Sequence, residues 1–190
     1  LLYKPLDVLV TAFDKEGRPT IYDLPALKPP TWDKSKPRVV YVGRLDVNSE
    51  GLLVLSSDGP LAQTMMSPAT ALPRVYRVRV HGRLNERQVE MIRRGVVVEG
   101  ERFRGADITE ETGHTGRSNT WYRMVLTEGK NREIRRLFEH FGCVVNRLIR
   151  VQYGPFHVGK LERGQVMEVP PAEVKRFMTE LAAAPVRIKA

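Results

Sequence analysis

The sequence is poor in the residues that build disulfides and metal sites. It has one cysteine, Cys143, which excludes an intrachain disulfide and a thiolate metal cage. Its four histidines, His81, His114, His140 and His157, are scattered without ligand spacing, and no carboxylate joins them in a metal motif. We therefore expect no metal site.

Long apolar runs are also missing. No stretch approaches the roughly 18 consecutive apolar residues that a membrane span requires, and no charged-then-apolar leader opens the chain. We expect a cytoplasmic protein without membrane association. Hydrophobic residues make up 42% of the sequence, which is enough for one ordinary core or two closely fused lobes. Because the chain starts at Leu1 rather than Met, we expect a fragment or a processed chain.

Positive charge is in excess. Lys and Arg number 31 against 22 Asp and Glu, so the formal net charge is +9. Such a field attracts polyanions, and nucleic acid is the usual partner. Most of these cations are Arg, whose planar guanidinium suits phosphates and base edges. The composition favours RNA or DNA as the partner, with a generally basic soluble protein as the alternative.

Apolar periodicity predicts more strands than helices. The predicted strands are residues 8–12, 39–42, 52–56, 74–80, 96–99, 106–112, 121–127, 144–156 and 165–169. The predicted helices are residues 60–66, 85–94, 131–141 and 171–183. Because many strands follow one another directly, the expected class is α+β, a mixed, largely antiparallel sheet with flanking helices. The polar residues 114–119 predict a hairpin tip.

One segment carries polar residues between two apolar strands. Arg44 and Asp46 lie there in a turn, so their side chains project at a sheet edge or a cleft. On its own, this turn equally fits a structural loop with Asx turns. A calcium loop fits less well, because residues 52–55 are all aliphatic at the positions where an EF-hand places its later ligands.

Several separated segments resemble one enzyme family. Residues 44–46 resemble the signature motif of the RsuA/RluB/RluE/RluF family of ribosomal RNA pseudouridine synthases. The other matches, in family order, are residues 3–5 with 8–11, residues 75–78 and residues 128–137. The chain departs from the pattern at Asp7, where the first motif often has Gly. We also expect it to be without the small S4-type domain that usually precedes this domain in the family.

The resemblance covers nearly the whole chain. It implies a pseudouridine synthase catalytic domain over residues 1–178, followed by a C-terminal tail over residues 179–190. It also implies ribosomal RNA as the partner and no cofactor, and we expect a monomer. Residues 121–122, 126–129 and 147–151 look closest to the RluB branch, whose substrate is a uridine of large-subunit (23S) ribosomal RNA.

The resemblance implies roles for three residues, and helical periodicity suggests a role for a fourth, Arg135. Asp46 is the essential carboxylate, which either attacks the substrate covalently or removes a sugar proton. Tyr76 stacks on the flipped base, although a core aromatic on a strand is the alternative. Arg44 fills the gap left in the RNA. Arg135 flanks the apolar stripe of its helix, where it can be partly buried and keep Asp46 ionised.

Further cations are expected to contact the RNA backbone. These cations, together with the amide of Asn131, form the following set: Lys4, Lys130, Asn131, Arg132, Arg136, Arg147 and Arg150. A solvated basic helix face is the alternative for the arginines of residues 132–136. Three other functions stay open: the same chemistry on small-subunit (16S) RNA, a catalytically silent ribosome-assembly factor, and a DNA-binding module.

Overall fold

The computed structural model describes residues 1–28, 35, 38–112 and 118–183. The strands in these residues are β1 (Leu2–Lys4), β2 (Val40–Val42), β3 (Glu50–Ser56), β4 (Arg74–His81), β5 (Val97–Val98), β6 (Glu101–Arg102), β7 (Asp107–Glu110), β8 (Asn119–Leu126), β9 (Val144–Tyr153) and β10 (Phe156–His157). The α-helices are α1 (Gly59–Met66), α2 (Glu86–Arg94), α3 (Glu133–His140) and α4 (Pro171–Ala183). Two 3-10 turns, Ile21–Asp23 and Pro25–Leu27, follow β1.

The chain forms two compact units. Unit 1 comprises residues 1–72 and 150–190, and unit 2 comprises residues 73–149. The boundary between residues 149 and 150 falls within β9, so this strand carries the chain back into unit 1.

Strand β3 is central to unit 1. It pairs antiparallel with β1 through residues 51–53 and with β2 through residues 54–56. Leu52, Leu53 and Val54 are buried because both faces of the strand are covered along this stretch. Helix α1 begins after Asp58, whose carboxylate accepts a hydrogen bond from the backbone N of Leu61 at 2.9 Å. On α4, the Phe177 ring packs edge-on against Phe156 at 5.1 Å and completes this core.

Unit 2 is built on the antiparallel strands β4, β8 and β7. In the register Val78 lies opposite Tyr122, and this face of the sheet packs against α3 through Phe138. Helix α2 starts with a capping box formed by Asn85 and Gln88, because each side chain accepts a hydrogen bond from the other residue's backbone N at 2.9 Å. The β5–β6 hairpin also belongs to this unit.

The predicted class, a mixed and largely antiparallel sheet with helices, is confirmed. Most predicted elements occur within one or two residues of their expected bounds. Two predicted strands are wrong. Residues 8–12 form only one bridge, from Leu9 to Thr20, because the chain bends on both sides of it. Residues 165–169 form only the bridge from Val166 to Leu2.

Some expectations fall partly outside the described residues. The predicted hairpin tip at 114–119 includes residues 114–117, which the structure does not describe. Helix α4 continues to Ala183, past residue 178, where we expected the tail to begin, and residues 184–190 are not described. The described helices include none with the length and apolar character needed to cross a membrane.

Candidate functional site

Asp46 lies in a tight turn of unit 1 between β2 and β3. Its backbone carbonyl accepts a hydrogen bond from the N of Ser49 at 3.0 Å, which closes the turn. Leu45 is buried and anchors the turn from below, whereas Asp46 is half-buried and Arg44 is exposed. The turn therefore holds a carboxylate at the surface of a packed sheet, as the sequence predicted.

Lys4 supports this turn from inside, and this corrects its predicted role. We expected Lys4 to contact RNA, but its side chain is fully buried. Its Nζ donates hydrogen bonds to the carbonyls of Pro5 and Ser49, both at 2.8 Å. A buried ammonium cannot reach a phosphate in this conformation, so Lys4 belongs to the framework of the Asp46 turn.

Burial acts on the charge of Lys4. Removal from water lowers the pKa of Lys4 to about 8, while the negative charges of Asp46, Asp7 and Glu50 act in the opposite direction. The ammonium is thus protonated at neutral pH and lies within the field of the Asp46 carboxylate.

Arg150 also needs correction. It was expected to contact RNA, yet only 2% of the residue is exposed. Its Nε donates to the carbonyl of Leu52 at 2.8 Å, and its guanidinium lies 5.2 Å from the centroid of the Tyr153 ring. Arg150 therefore holds β3 in unit 1, because its hydrogen bond and ring contact are both internal.

Gly51 allows the backbones of unit 1 to approach closely. It has a φ of +108°, and a Cβ placed on it would lie 2.3 Å from the backbone O of Arg150. No side chain fits at that distance. Nearby, Asp7 has a φ of +60°, a left-handed conformation that Asp tolerates better than most residues. The departure from the glycine of the family motif therefore leaves this backbone conformation accessible.

A buried carboxylate near the turn, and the exposed arginine that pairs with it, were missed at the sequence level. Glu50 is fully buried, and Nε of Arg163 lies 3.2 Å from its carboxylate. Neither residue belongs to a segment that resembles the family, and Glu50 looks like part of the polar turn. The only available signal was that Glu50 directly precedes an apolar strand.

In unit 2, Tyr76 and Arg135 occupy different elements. Tyr76 is half-buried on β4, opposite Met124 of β8, and packs against the unit's core. Arg135 on α3 is buried, and its Nη1 donates to the carbonyl of Val145 at 3.1 Å. The pairing of Arg135 with Asp46 stays a prediction.

The segment between β8 and α3 carries the predicted RNA contacts. Asn131 and Arg132 are exposed, and Arg132 has a φ of +48° where α3 begins. Lys130 and Arg136 are half-buried and both contact Glu101, at 3.4 and 2.6 Å. Arg147 on β9 is half-buried. The exposed pair is directly accessible to a phosphate, whereas Lys130 and Arg136 would exchange Glu101 for it.

The ring of Phe103 supports these two ion pairs. It is fully buried, with the guanidinium of Arg136 at 4.8 Å and the ammonium of Lys130 at 5.1 Å from its centroid. Arg136 also pairs with Glu99 at 3.2 Å. The β5–β6 hairpin therefore presents two carboxylates to cations that the sequence assigned to RNA.

Unit 1 also contains a cavity that lies apart from the predicted site residues. A cavity of about 400 Å³ in unit 1 is lined mainly by apolar side chains, including Met65, Phe156 and Phe177, and by none of the predicted site residues. The residues that the structure describes contain no group of three or more His, Cys, Asp or Glu side chains able to hold a metal ion.

The fold and these motifs agree with one family. Over residues 1–140 the chain matches the family described as RNA pseudouridylate synthase, and it belongs to that family. It is 40% identical over 191 residues to ribosomal large subunit pseudouridine synthase B of Pseudomonas aeruginosa, a match that covers 99% of this chain and 47% of that protein. The corresponding protein of Yersinia pestis is 44% identical over 164 residues, which is 85% of this chain and 49% of the relative.

Coverage of the relatives is partial. The chain spans about half the length of these two proteins or less. Among solved structures, a pseudouridylate synthase crystal structure superposes with a TM-score of 0.76 at 24% identity, covering 92% of this chain and 70% of that chain. At this identity the superposition shows a shared fold, and it agrees with the family assignment.

Proposed function

We propose that this chain is the catalytic part of an enzyme that isomerises a uridine to pseudouridine in large-subunit ribosomal RNA. The observation that carries the proposal is the Asp46 turn, in which a half-buried carboxylate lies above the buried ammonium of Lys4. Family membership and the names of the relatives support the reaction and the RNA. We also propose a cytoplasmic monomer that needs no cofactor or metal.

The reaction needs a carboxylate rather than a redox group. The glycosidic bond from the sugar to N1 of the base breaks, the base turns, and a new bond forms from the sugar to C5. N1 gains a proton and C5 loses one, so atoms and electrons balance without a second substrate. Asp46 either attacks the substrate covalently or removes a sugar proton, and an ionised group is required in both cases.

RNA binding would be divided among several groups. Tyr76 is proposed to stack on the base once it has left the RNA helix, and Arg44 to fill the gap. Asn131, Arg132 and Arg147 are proposed to contact phosphates, joined by Lys130 and Arg136. Arg135 is proposed to stabilise the charge of Asp46. Lys4 and Arg150 are left out of the RNA contacts because they are buried.

The test compares Asp46→Asn with Asp7→Asn. Both remove one carboxylate whose charge acts on Lys4, but only the first removes the proposed reacting group. Pseudouridine is measured after chemical derivatisation and primer extension on large- and small-subunit RNA transcripts. We expect Asp46→Asn to lower turnover by about 10²-fold or more, with RNA binding retained, and Asp7→Asn to stay close to wild type.

Each other outcome points to an alternative. Product on the small-subunit transcript alone would move the substrate to 16S RNA. RNA binding without product from the wild-type chain would favour a silent assembly factor. Equal product from Asp46→Asn and wild type would show that another group does the chemistry.

A further inference from the structure

The loop of residues 128–132 lies between β8 and α3. It carries Lys130, Asn131 and Arg132, three of the proposed RNA contacts. Glu133, at the start of α3, reaches back to this loop: its Oε2 accepts a hydrogen bond from the backbone N of Lys130 at 3.0 Å. Its own backbone N donates to the carbonyl of Lys130 at 3.3 Å. One residue thus holds both ends of the turn.

Glu133 lies in an unusual place for a carboxylate. It is only 4% exposed, and its Oε1 is buried without a hydrogen-bond donor among the described residues. A second carboxyl, that of Glu128, lies next to it. Glu128 is fixed from the other side, because its Oε1 accepts a hydrogen bond from the backbone N of Arg104 at 2.6 Å.

Two ionised carboxylates cannot form a hydrogen bond with each other, since both are acceptors and neither carries a proton to donate. One proton between them converts repulsion into a hydrogen bond. Burial, followed by the charge and hydrogen bonding of Glu128, raises the pKa of Glu133 to about 8, and the backbone N and ammonium of Lys130 oppose this shift. The other cations here are Arg104, beside Glu128, and Arg74, whose guanidinium would lie 3.7 Å from a Cβ on Gly129.

We propose that Glu133 is a positioning residue whose carboxyl shares a proton with Glu128, and that this hydrogen bond fixes the loop that presents Asn131 and Arg132 to RNA. The inference rests on the proposed function, because it takes this loop to be an RNA contact. Loss of the shared proton places two negative charges together beneath the loop. It then releases the loop and adds a charge that repels phosphate.

The experiment measures the Kd of a fluorescent hairpin from large-subunit ribosomal RNA between pH 6.5 and 8.5 at fixed salt. For the wild type we expect affinity to fall about fivefold across this range. Glu133→Gln keeps a donor for Glu128 and an acceptor for the N of Lys130, so its affinity should stay level. Glu139→Gln, an exposed change on the same helix, should follow the wild type.

Two results would overturn the inference. One is a wild-type affinity that does not change with pH. The other is a parallel fall in Glu133→Gln, which would assign the pH dependence to a group common to both proteins, such as Lys4. Far-ultraviolet circular dichroism checks that each variant is folded before its affinity is compared.

A second measurement separates this inference from the proposed function. Amide hydrogen exchange of residues 129–132 needs neither RNA nor turnover, and it is compared between wild type and Glu133→Gln at each pH. If these amides exchange faster in the wild type than in Glu133→Gln above pH 8, the result supports the shared proton even if no pseudouridine forms. Equal exchange at every pH contradicts it, even if the enzyme is active.

Discussion

The two units each bury an ionisable group next to a loop of the proposed site, and they compensate its charge in opposite ways. In unit 1, Lys4 keeps its charge at neutral pH, because backbone carbonyls accept hydrogen bonds from its ammonium and three carboxylates lie nearby. In unit 2, Glu133 lies beside another carboxyl and keeps a proton instead. The difference fits the two proposed tasks: one turn needs a carboxylate that stays ionised, and the other loop needs its cations unopposed.

The two groups also give opposite pH dependences of stability. The pKa of Glu133 is raised from 4.5 to about 8 in the folded chain, so the folded state binds the extra proton and stability falls as pH rises between these values. The pKa of Lys4 is lowered from 10.5 to about 8, so the unfolded state binds the extra proton and stability rises from about pH 8 to 10.5. Together, Glu133 and Lys4 are expected to give a minimum in the free energy of unfolding near pH 8.

The largest expected effect comes from breaking the backbone packing of unit 1. In Gly51→Ala the new Cβ meets the backbone O of Arg150 at 2.3 Å, and φ is +108°. We expect a loss of about 3 kcal/mol or more in the free energy of unfolding, measured with urea. Gly43→Ala is the matched control, since Gly43 has a φ of +70° but open space around it, and it should lose only about 1 kcal/mol. Equal losses would mean that strain, rather than close approach, requires Gly51.

The sequence predicted the elements and the turn of the proposed site, but not which of its charged side chains are buried. The apolar periods of β3 and α3 predicted both elements, because the sheet and helix cores depend on local patterns. The Asp46 turn followed from polar residues between two strands. The burial of Lys4 and Arg150 could not be predicted in the same way. A charge in the sequence carries no sign of whether distant carbonyls will satisfy it, as those of Ser49 and Leu52 do.

Glu133 was missed for a related reason. It lies within a segment of alternating charges, where the expected structure is a solvated helix face. Its neighbour Glu128 is five positions earlier, across a turn whose backbone conformation depends on the φ of +48° at Arg132. Only the folded loop brings the two carboxyls together.

The next largest effect is expected when the buried ammonium of Lys4 in unit 1 is removed. Lys4→Met keeps much of the side-chain volume but leaves the carbonyls of Pro5 and Ser49 without their donor. We expect turnover to fall about 10- to 100-fold, since a charged hydrogen bond contributes about 1.5–3 kcal/mol to the geometry that it holds. Lys15→Met, an exposed change, should leave turnover near the wild-type value.

The same variant tests the pH comparison. The rise in stability from about pH 8 to 10.5 should disappear in Lys4→Met and remain in Lys15→Met, as measured by urea unfolding across that range. If the stability of Lys4→Met still rises over this pH range, another group causes the rise. Lys4 and Glu133 then do not have opposite effects on the pH dependence of stability.

The smallest effects are expected among the proposed RNA contacts of unit 2, where the exposed Arg132 can be compared with the half-buried Arg136. Arg132→Ala should reduce the slope of log K against log salt by about one unit, because an exposed arginine releases a counterion when it binds phosphate. Arg136→Ala should change the slope less, since Arg136 already pairs with Glu101 at 2.6 Å and exchanges one anion for another. Equal slopes for the two variants would mean that Arg136 contacts a phosphate as fully as Arg132 does, or that neither arginine contacts a phosphate. Adding Glu101→Gln distinguishes these two cases, because it should steepen the slope of the wild type only if Arg136 becomes available to the RNA.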